Sequence, residues 1–381
     1  MRIGIDASNL GLGGGMTHIK ELLHYVATHN EWVGSIVVFA SQRVLDQLPT
    51  SAAIEKVTFP ELNGGLLKRF LFQLVNYDKG ISANKCDIIF SITGDYLGKI
   101  RPVVGMSRNL LLYDRFIWKD FRQFRELVRT YLNYRKQRFS FKNSSGIIFI
   151  SEHARKVIKD FISLDGKQTT LIHHGISSRF SAEPKPQLAI TEYSLDRPFR
   201  LLYVSTVHIY KHQWNVVEAV AELRAKGYPL ELHLAGAVIF KPAGKRLRNS
   251  VLKYDPTGEF VRDHGWVSYE TIDSLYKSAD AFVYASDCEN MPNILIEAMS
   301  AGLPILCSDR YPMPEFAGEY AYYFKSRQPA TIAEAIERML CDPERRAWKA
   351  GRSKQASEIY SWTKTSEQTF RFLNEIYKAN R

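Results

Sequence analysis

The chain has 381 residues, 45% of them hydrophobic and 24% charged, with a formal net charge of +11. That length is too great for one small core and suits two domains of ordinary size, and the composition is that of an ordinary globular protein. No apolar run approaches the ~20 residues of a membrane span, the Met1-Arg-Ile-Gly-Ile-Asp6 start reads as a strand and not as a signal peptide, and Cys86, Cys288, Cys307 and Cys341 show no metal or redox spacing, so they read as cytosolic thiols.

Short apolar runs alternate with helical patterns from the first residues. Strands are expected at Ile3–Asp6, Ser35–Ala40, Asp87–Ser91, Val103–Met106, Gly146–Ile150 and Thr170–His173, with helices such as Thr17–Thr28 and Glu152–Phe161 after most of them. Such alternation predicts a parallel sheet with helices on both faces. The pattern lapses over 177–197, which is rich in Ser and Pro. It resumes with strands at Phe199–Val204, Leu230–Ala235, Ala281–Ala285, Pro304–Cys307 and Ala321–Phe324, and ends in a helix over Thr363–Tyr377. The organisation read from this is a first domain at 1–180, a linker at 181–197, a second domain at 198–360 and a closing segment at 361–381. Two doubly wound α/β domains place the expected ligand site in the cleft that they face across.

Charge is uneven along the chain. Residues 1–190 carry 26 Lys and Arg against 16 Asp and Glu, and the remainder carries 25 against 24. The densest stretch is 115–142, where nine basic residues face only Asp120 and Glu126 and are interleaved with Phe116, Trp118, Phe121, Phe124, Tyr131, Tyr134, Phe139 and Phe141. A basic, aromatic, partly helical segment suits an anionic membrane surface, a nucleic-acid backbone, or simply a solvated basic face on an amphipathic helix.

Gly11-Leu-Gly-Gly-Gly-Met-Thr-His18 follows the first strand and opens a helix. It is no dinucleotide fingerprint, because the third glycine of G-x-G-x-x-G falls on Met16. A glycine loop at a helix start still lets phosphate or sugar approach the backbone. The most informative stretch is Glu289-Asn-Met-Pro-Asn-Ile-Leu-Ile-Glu297-Ala-Met-Ser-Ala-Gly302-Leu-Pro304. It reads as a tight turn at Asn290–Asn293 and a helix over Ile294–Ala301 stopped by Gly302 and Pro304. One carboxylate lies just before that helix and one inside it. A strand, a tight loop and a helix start flanked by two acids suit a ligand that carries both phosphates and hydroxyls.

The Glu289 and Glu297 spacing resembles the E-x7-E motif of retaining GT-B glycosyltransferases of family GT4. Neighbouring segments agree in order: His264-Gly-Trp-Val-Ser-Tyr-Glu270, Ser278-Ala-Asp-Ala-Phe-Val-Tyr-Ala-Ser286, Ser308 to Glu315, and His173-His174-Gly175. Tyr203-Val-Ser-Thr-Val-His-Ile-Tyr-Lys211-His-Gln-Trp214 is similar to the element that holds the leaving diphosphate, with Lys211 at its Lys and Thr206 where the family has Arg. The resemblance implies an α/β fold of two Rossmann-like domains and a closing helix that returns to the first.

By the same resemblance, Glu289, Lys211 and Arg108 are the expected catalytic set. Glu297, Thr206, Ser205, Asn290, Met291, Asn293, Ile294, Gly265 and Trp266 would bind the donor. Gly14, Gly15 and Asn109 would face the diphosphate and acceptor. Arg108-Asn109 stands where many members carry a His and an acid, and Arg108 cannot act as a base because it stays protonated. Pro292 replaces a backbone donor of the common glycine-containing loop. The implied reaction needs no cofactor or metal. It moves a hexose of the mannose, rhamnose, glucose or N-acetylhexosamine class from a GDP-, UDP- or dTDP-sugar to a glycan or polyprenyl-diphosphate-linked acceptor, in surface-polysaccharide assembly. Nucleic acid is not expected as a partner, and the expected location is cytoplasmic, at the inner membrane face through residues 115–142. The same fold also hosts epimerases, phosphorylases and non-catalytic subunits, which the E-x7-E spacing and Lys211 disfavour.

Overall fold

The computed structural model describes residues 1–11, 13–29, 33–121 and 123–381; Leu12 of the glycine loop and Arg122 of the basic segment lie outside them. The chain divides into two compact units. The first comprises Met1–Arg115, Gln123–Gly175 and Tyr360–Arg381, and the second Phe116–Arg122 and Ile176–Ile359.

In the first unit, strands β1 (Arg2–Asp6), β2 (Ser35–Phe39), β3 (Ile54–Val57), β4 (Ile88–Ser91), β5 (Val103–Ser107), β6 (Gly146–Phe149) and β7 (Gln168–Leu171) form a parallel sheet in the order β3-β2-β1-β4-β5-β6-β7. In the second, β8 (Phe199–Val204), β9 (Leu230–Ala235), β10 (Val261–Asp263), β11 (Ala281–Tyr284), β12 (Ile305–Ser308) and β13 (Ala321–Phe324) form another, ordered β10-β9-β8-β11-β12-β13. Central strands such as β4, β5, β6, β11 and β12 are buried along their whole length. That burial on both faces is why they read as continuous apolar runs. The two strands not expected from the sequence, β3 and β10, are edge strands, and Ile-Glu-Lys-Val and Val-Arg-Asp carry the charges that an edge tolerates.

Residues 181–197, expected as a linker, are instead packed on the second unit. The Ala182 N–H donates to the Ser300 carbonyl at 3.1 Å. The fully buried Arg346 donates to Gln187 Oε1 at 2.7 Å and to the Leu188 carbonyl. The stretch lacks regular structure over most of its length, yet these bonds fix it. The boundary accordingly falls at Gly175 rather than at 180. The closing helix, Trp362–Ala379, belongs to the first unit, where the Thr365 hydroxyl donates to the His173 carbonyl at 2.7 Å. Gly146 lets this helix approach β6, since a side chain there would meet Ile376 Cδ1 at 2.8 Å.

In each sheet the winding direction reverses once, between β1 and β4 and again between β8 and β11. Ligands of open α/β sheets bind outside the carboxyl ends of the strands at such a reversal. The loops after Asp6 and Ser91, and those after Val204 and Tyr284, are therefore where function is to be sought.

Candidate functional site

Lys211 follows β8 and Glu289 follows β11, so neighbouring parallel strands deliver them to the reversal in the second unit. Lys211 is buried, and its Nζ donates to Tyr284 Oη at 2.7 Å and to Glu289 Oε1. The Tyr284 and Ser286 hydroxyls donate to the same Oε1, each at 2.6 Å. That oxygen is saturated with three donors. Glu289 Oε2 takes part in none of these bonds.

The loops themselves are tied together. The Tyr203 hydroxyl donates to the Lys211 carbonyl, and the Asp287 N–H donates to Tyr210 O at 2.9 Å. His212 takes the left-handed conformation at φ 49° before helix Gln213–Ala225. Its Nε2 lies 2.9 Å from Asp287 Oδ2, which also accepts from Arg327 Nε at 2.6 Å, while Ser326 donates to Oδ1. Arg327 continues to Asp120 at 2.6 Å. Burial alone would raise the Asp287 carboxyl. The hydrogen bond and charge of His212, with Ser326 and Arg327, overcome that and hold it at about 2.

Glu297 lies inside helix Asn293–Ser300 and is buried, with Tyr276 donating to its Oε2 at 2.9 Å. Burial lifts its carboxyl to about 7, against the opposing pull of Tyr276 and of Arg179. The guanidinium of Arg179 sits 3.8 Å from the Tyr269 ring centroid. Asn290 and Met291 are buried, and Asn293 and Ile294 are partly exposed at the helix start.

Ser205 is buried and Thr206 exposed. Gly236, at φ +152°, keeps the end of β9 against this loop, since a side chain there would strike the Ser205 carbonyl. Its N–H donates to the Gly265 carbonyl at 2.6 Å. Gly265 turns at φ +59°, and Trp266 beside it is 73% exposed.

In the first unit, helix Gly14–Thr28 opens the loop after β1, and Arg108 and Asn109 follow β5. The Arg108 guanidinium lies against the helix start: a side chain at Gly15 would come within 3.5 Å of its Nη1. Burial lowers Arg108 to about 10, so it remains a cation at neutral pH. Among the described residues no ion pair engages it. Its Nη1 is 3.4 Å from Nδ1 of the buried His18. Burial, with His174 and Arg108 nearby, holds His18 well below the usual histidine range. Nδ1 of the neutral ring then accepts, and Nε2 carries the proton. The His18 ring packs against His174 and Trp362, at 4.8 and 5.5 Å between centroids. The Asn109 carboxamide oxygen accepts the Leu111 N–H at 3.1 Å, which orients the side chain in its own turn.

The sequence named both partners of the Lys211–Glu289 pair but not Tyr284, Ser286, Asp287 or His18. Tyr284 read as a core strand residue, and only the chain reversal shows where its hydroxyl goes. The segment 115–142 does not form one surface. Phe121 and Phe141 are buried, and Phe116 lies beneath Arg310 and Arg327 in the second unit. Among the described residues, no three His, Cys, Asp or Glu side chains are placed to hold a metal, and no helix is long and apolar enough to cross a membrane.

Comparison with known proteins places this geometry. A family model described as Glycosyl transferases group 1 matches residues 191–354. The O-antigen chain mannosyltransferase B of Escherichia coli is 30% identical over 110 residues, a match that covers 29% of this chain and 29% of that protein. Sucrose-phosphate synthase from Thermosynechococcus elongatus superposes over 100% of both chains with a TM-score of 0.79 at 16% identity. HepE of Anabaena, in complex with UDP, superposes over 98% of this chain and 99% of its own with a TM-score of 0.72 at 16% identity. Residues 191–354 are thus a glycosyl transferases group 1 domain, carried on a chain whose two parallel-sheet units have the fold of GT-B glycosyltransferases.

Proposed function

We propose that the protein is a retaining hexosyltransferase of the GT4 type, using a nucleotide diphosphate sugar. The observation that carries this reading is the buried Lys211–Glu289 pair at the chain reversal of the second unit, with Glu297 eight residues on. Lys211, helped by the hydroxyls of Ser205 and Thr206 and by the start of helix Asn293–Ser300, neutralises the departing diphosphate. The open oxygen of Glu289, with Asn290 and Asn293, grips sugar hydroxyls, and Glu297 takes the ribose. Trp266 on its glycine turn supplies a flat face for the base.

The sugar C1–phosphate bond breaks and the bond from C1 to the acceptor oxygen forms on the same face. The acceptor proton passes to the leaving phosphate. Gly14, Gly15 and Arg108 complete the proposed diphosphate and acceptor set. This reading requires no metal or cofactor. The mannosyltransferase relative supports a mannose-class donor and a role in O-antigen or capsule assembly. The acceptor is then a glycan, polyprenyl-diphosphate-linked at the cytoplasmic membrane face, with residues 115–142 contributing an anionic-lipid contact.

A thermal-shift panel of UDP, GDP and dTDP with their sugars tests donor binding, followed by transfer to a soluble acceptor glycan. Stabilisation by one nucleotide and its sugar, with product that retains the donor's anomeric configuration, is the expected result. Product without acceptor indicates an epimerase, dependence on orthophosphate a phosphorylase, and indifference to every activated sugar a non-catalytic subunit; each rejects the proposal.

A further inference from the structure

The helix Leu66–Val75 reads Leu-Leu-Lys-Arg-Phe-Leu-Phe-Gln-Leu-Val. Leu67, Phe70, Leu71, Leu74 and Val75 follow i, i+3, i+4, i+7, i+8 spacing and so share one face. In a globular protein that face turns inward. Here it turns out: Leu67 is 72% exposed, Val75 68%, and Leu71 and Leu74 about half. The helix is held by its other side, where Phe72 packs with Tyr77 and Phe59 and Gln73 is buried.

Helix Phe124–Asn143 repeats the arrangement. Phe124, Val128, Tyr131, Leu132 and Phe139 recur at helical spacing and are exposed, Phe124 by 81%. The two helices touch, because Lys136 Nζ donates to Gln73 Oε1 at 3.1 Å. They are also fixed to the sheet. Lys136 pairs with Asp95 at 2.9 Å, and Gln73 Nε2 donates at 2.8 Å to Ser8 Oγ, which bonds to the buried Asp6. Lys68, Arg69, Arg125, Arg129, Arg135, Lys136, Arg138 and Lys142 lie on these helices, against the single acid Glu126.

An apolar face of this extent on a rigid support marks an interaction site, and its charge selects the occupant. A second copy would bring like charge to like. A nucleic acid would answer the arginines and leave the leucines in water. An anionic bilayer answers both. We propose that Leu66–Val75 and Phe124–Asn143 form one amphipathic platform that seats the first unit on an anionic phospholipid surface. The side chains of Leu67, Phe70, Leu71, Leu74 and Val75 enter the acyl–headgroup boundary, and Arg125, Arg129 and Arg135 meet lipid phosphates. This rests on the reading of 115–142 as a lipid contact. It adds that the main apolar anchor lies outside that segment and that Phe116 takes no part.

The test is flotation of the full-length protein with vesicles of phosphatidylcholine alone or mixed with phosphatidylglycerol, each variant first checked for an unchanged melting temperature. Wild type is expected to float with the mixed vesicles. The triple variant Leu67→Ser, Leu71→Ser, Leu74→Ser should partition at least about tenfold less, at low salt as well as high. The pair Arg125→Glu, Arg129→Glu should lose about tenfold or more on the mixed vesicles, and Phe116→Ser should float like wild type. All should transfer sugar to a soluble acceptor at the same rate. If the triple variant floats normally while the arginine pair does not, the platform is overturned and the lipid contact of 115–142 survives. If no form floats, both fail. If the wild type instead forms a dimer that the triple variant abolishes, the face belongs to a second copy and the platform is overturned.

Discussion

The two chain reversals are built alike in backbone and unlike in chemistry. In the second unit the reversal is crowded and prepaired: Lys211, Tyr284 and Ser286 converge on one oxygen of Glu289, and Asp287 binds His212, Ser326 and Arg327 around it. In the first unit the reversal also holds a network, with Ser8, Tyr77 and Ser91 donating to the buried Asp6, but a glycine loop lies beyond it. Glycines open the helix start, a neutral histidine faces the cationic Arg108, and the neighbouring helices spend their apolar side on the surface. A prepaired site suits one chemically defined ligand: in the proposed reaction a diphosphate would take Lys211 over from Glu289. A glycine-lined loop suits a large, variable partner. On the proposed function, the difference would concentrate donor recognition in a few fixed groups of the second unit and leave the acceptor to the glycine loop of the first.

The largest effect should come from breaking the crowded side. Lys211→Ala is expected to lower the transfer rate by ~100-fold or more, the scale of losing a preorganised donor to developing charge. Glu289→Gln should cost a similar factor, because it frees Lys211 yet removes the open carboxylate oxygen. Arg108→Ala should cost about tenfold, as a single hydrogen-bonding charge does. Steady-state transfer rates measured for the three give the order. If Arg108 proves the most damaging, the diphosphate is held chiefly by the first unit and the contrast is reversed.

Asp287 tests whether the crowded site is a framework as well as a binding surface. Asp287→Ala leaves Arg327 and His212 without their buried carboxylate and should cost about 3 kcal/mol in denaturant unfolding. Its pKa in the folded chain, about 2, lies below the ordinary 3.8. The stabilisation is therefore complete above pH ~4 and is lost as pH falls toward 2. Asp287→Asn should flatten the stability profile across that window, and an unaltered profile would show that the network contributes nothing there.

Glu297 makes a finer distinction. Its carboxyl stands at about 7, above the ordinary 4.5, because it is buried. The folded, ligand-free chain thus keeps a proton that the unfolded chain loses, and this group makes folding less favourable as pH rises from 4.5 to 7. Ribose hydroxyls donating to Glu297 favour the ionised form, so nucleotide binding near pH 6 should release a proton. Calorimetry in two buffers of different ionisation enthalpy would show it. Glu297→Gln should abolish the release and weaken binding by about tenfold. Proton-neutral binding by the wild type would move the ribose elsewhere.

How much of this was legible depends on what a pattern can carry. Apolar runs such as Ala281–Tyr284 reveal a strand because both of its faces are buried. The edge strand Ile54–Val57 hides, because its charged residues break the run. The two glutamates were legible from spacing within one strand–loop–helix unit. The contact of Glu289 with Lys211 spans 78 positions and arises only because β8 and β11 are neighbours. His18 could not be seen, since a histidine on an amphipathic helix has no signature until burial settles its protonation. For Leu66–Val75 the helical period was present in the sequence, but a period fixes a face and not its direction. An apolar stripe pointing outward looks the same as one pointing into a core.

The smallest effect probes the glycine loop of the first unit where it is most open. A side chain at Gly14 would meet nothing within 4 Å. Gly14 is also the first residue of its helix, so alanine there should leave stability unchanged or raise it by about 0.5 kcal/mol through the unfolded chain. Gly15 differs, because its new methyl would lie 2.5 Å from Leu10 Cδ1 and 3.5 Å from the Arg108 guanidinium. If the loop is only a turn, Gly14→Ala leaves both melting temperature and transfer rate in place. If phosphate or acceptor passes along this backbone, the added methyl narrows the approach, and the rate should fall by a few fold while the melting temperature holds or rises. A drop in rate without a drop in stability cannot come from misfolding, so this one substitution separates a glycine kept for conformation from a glycine kept for a ligand.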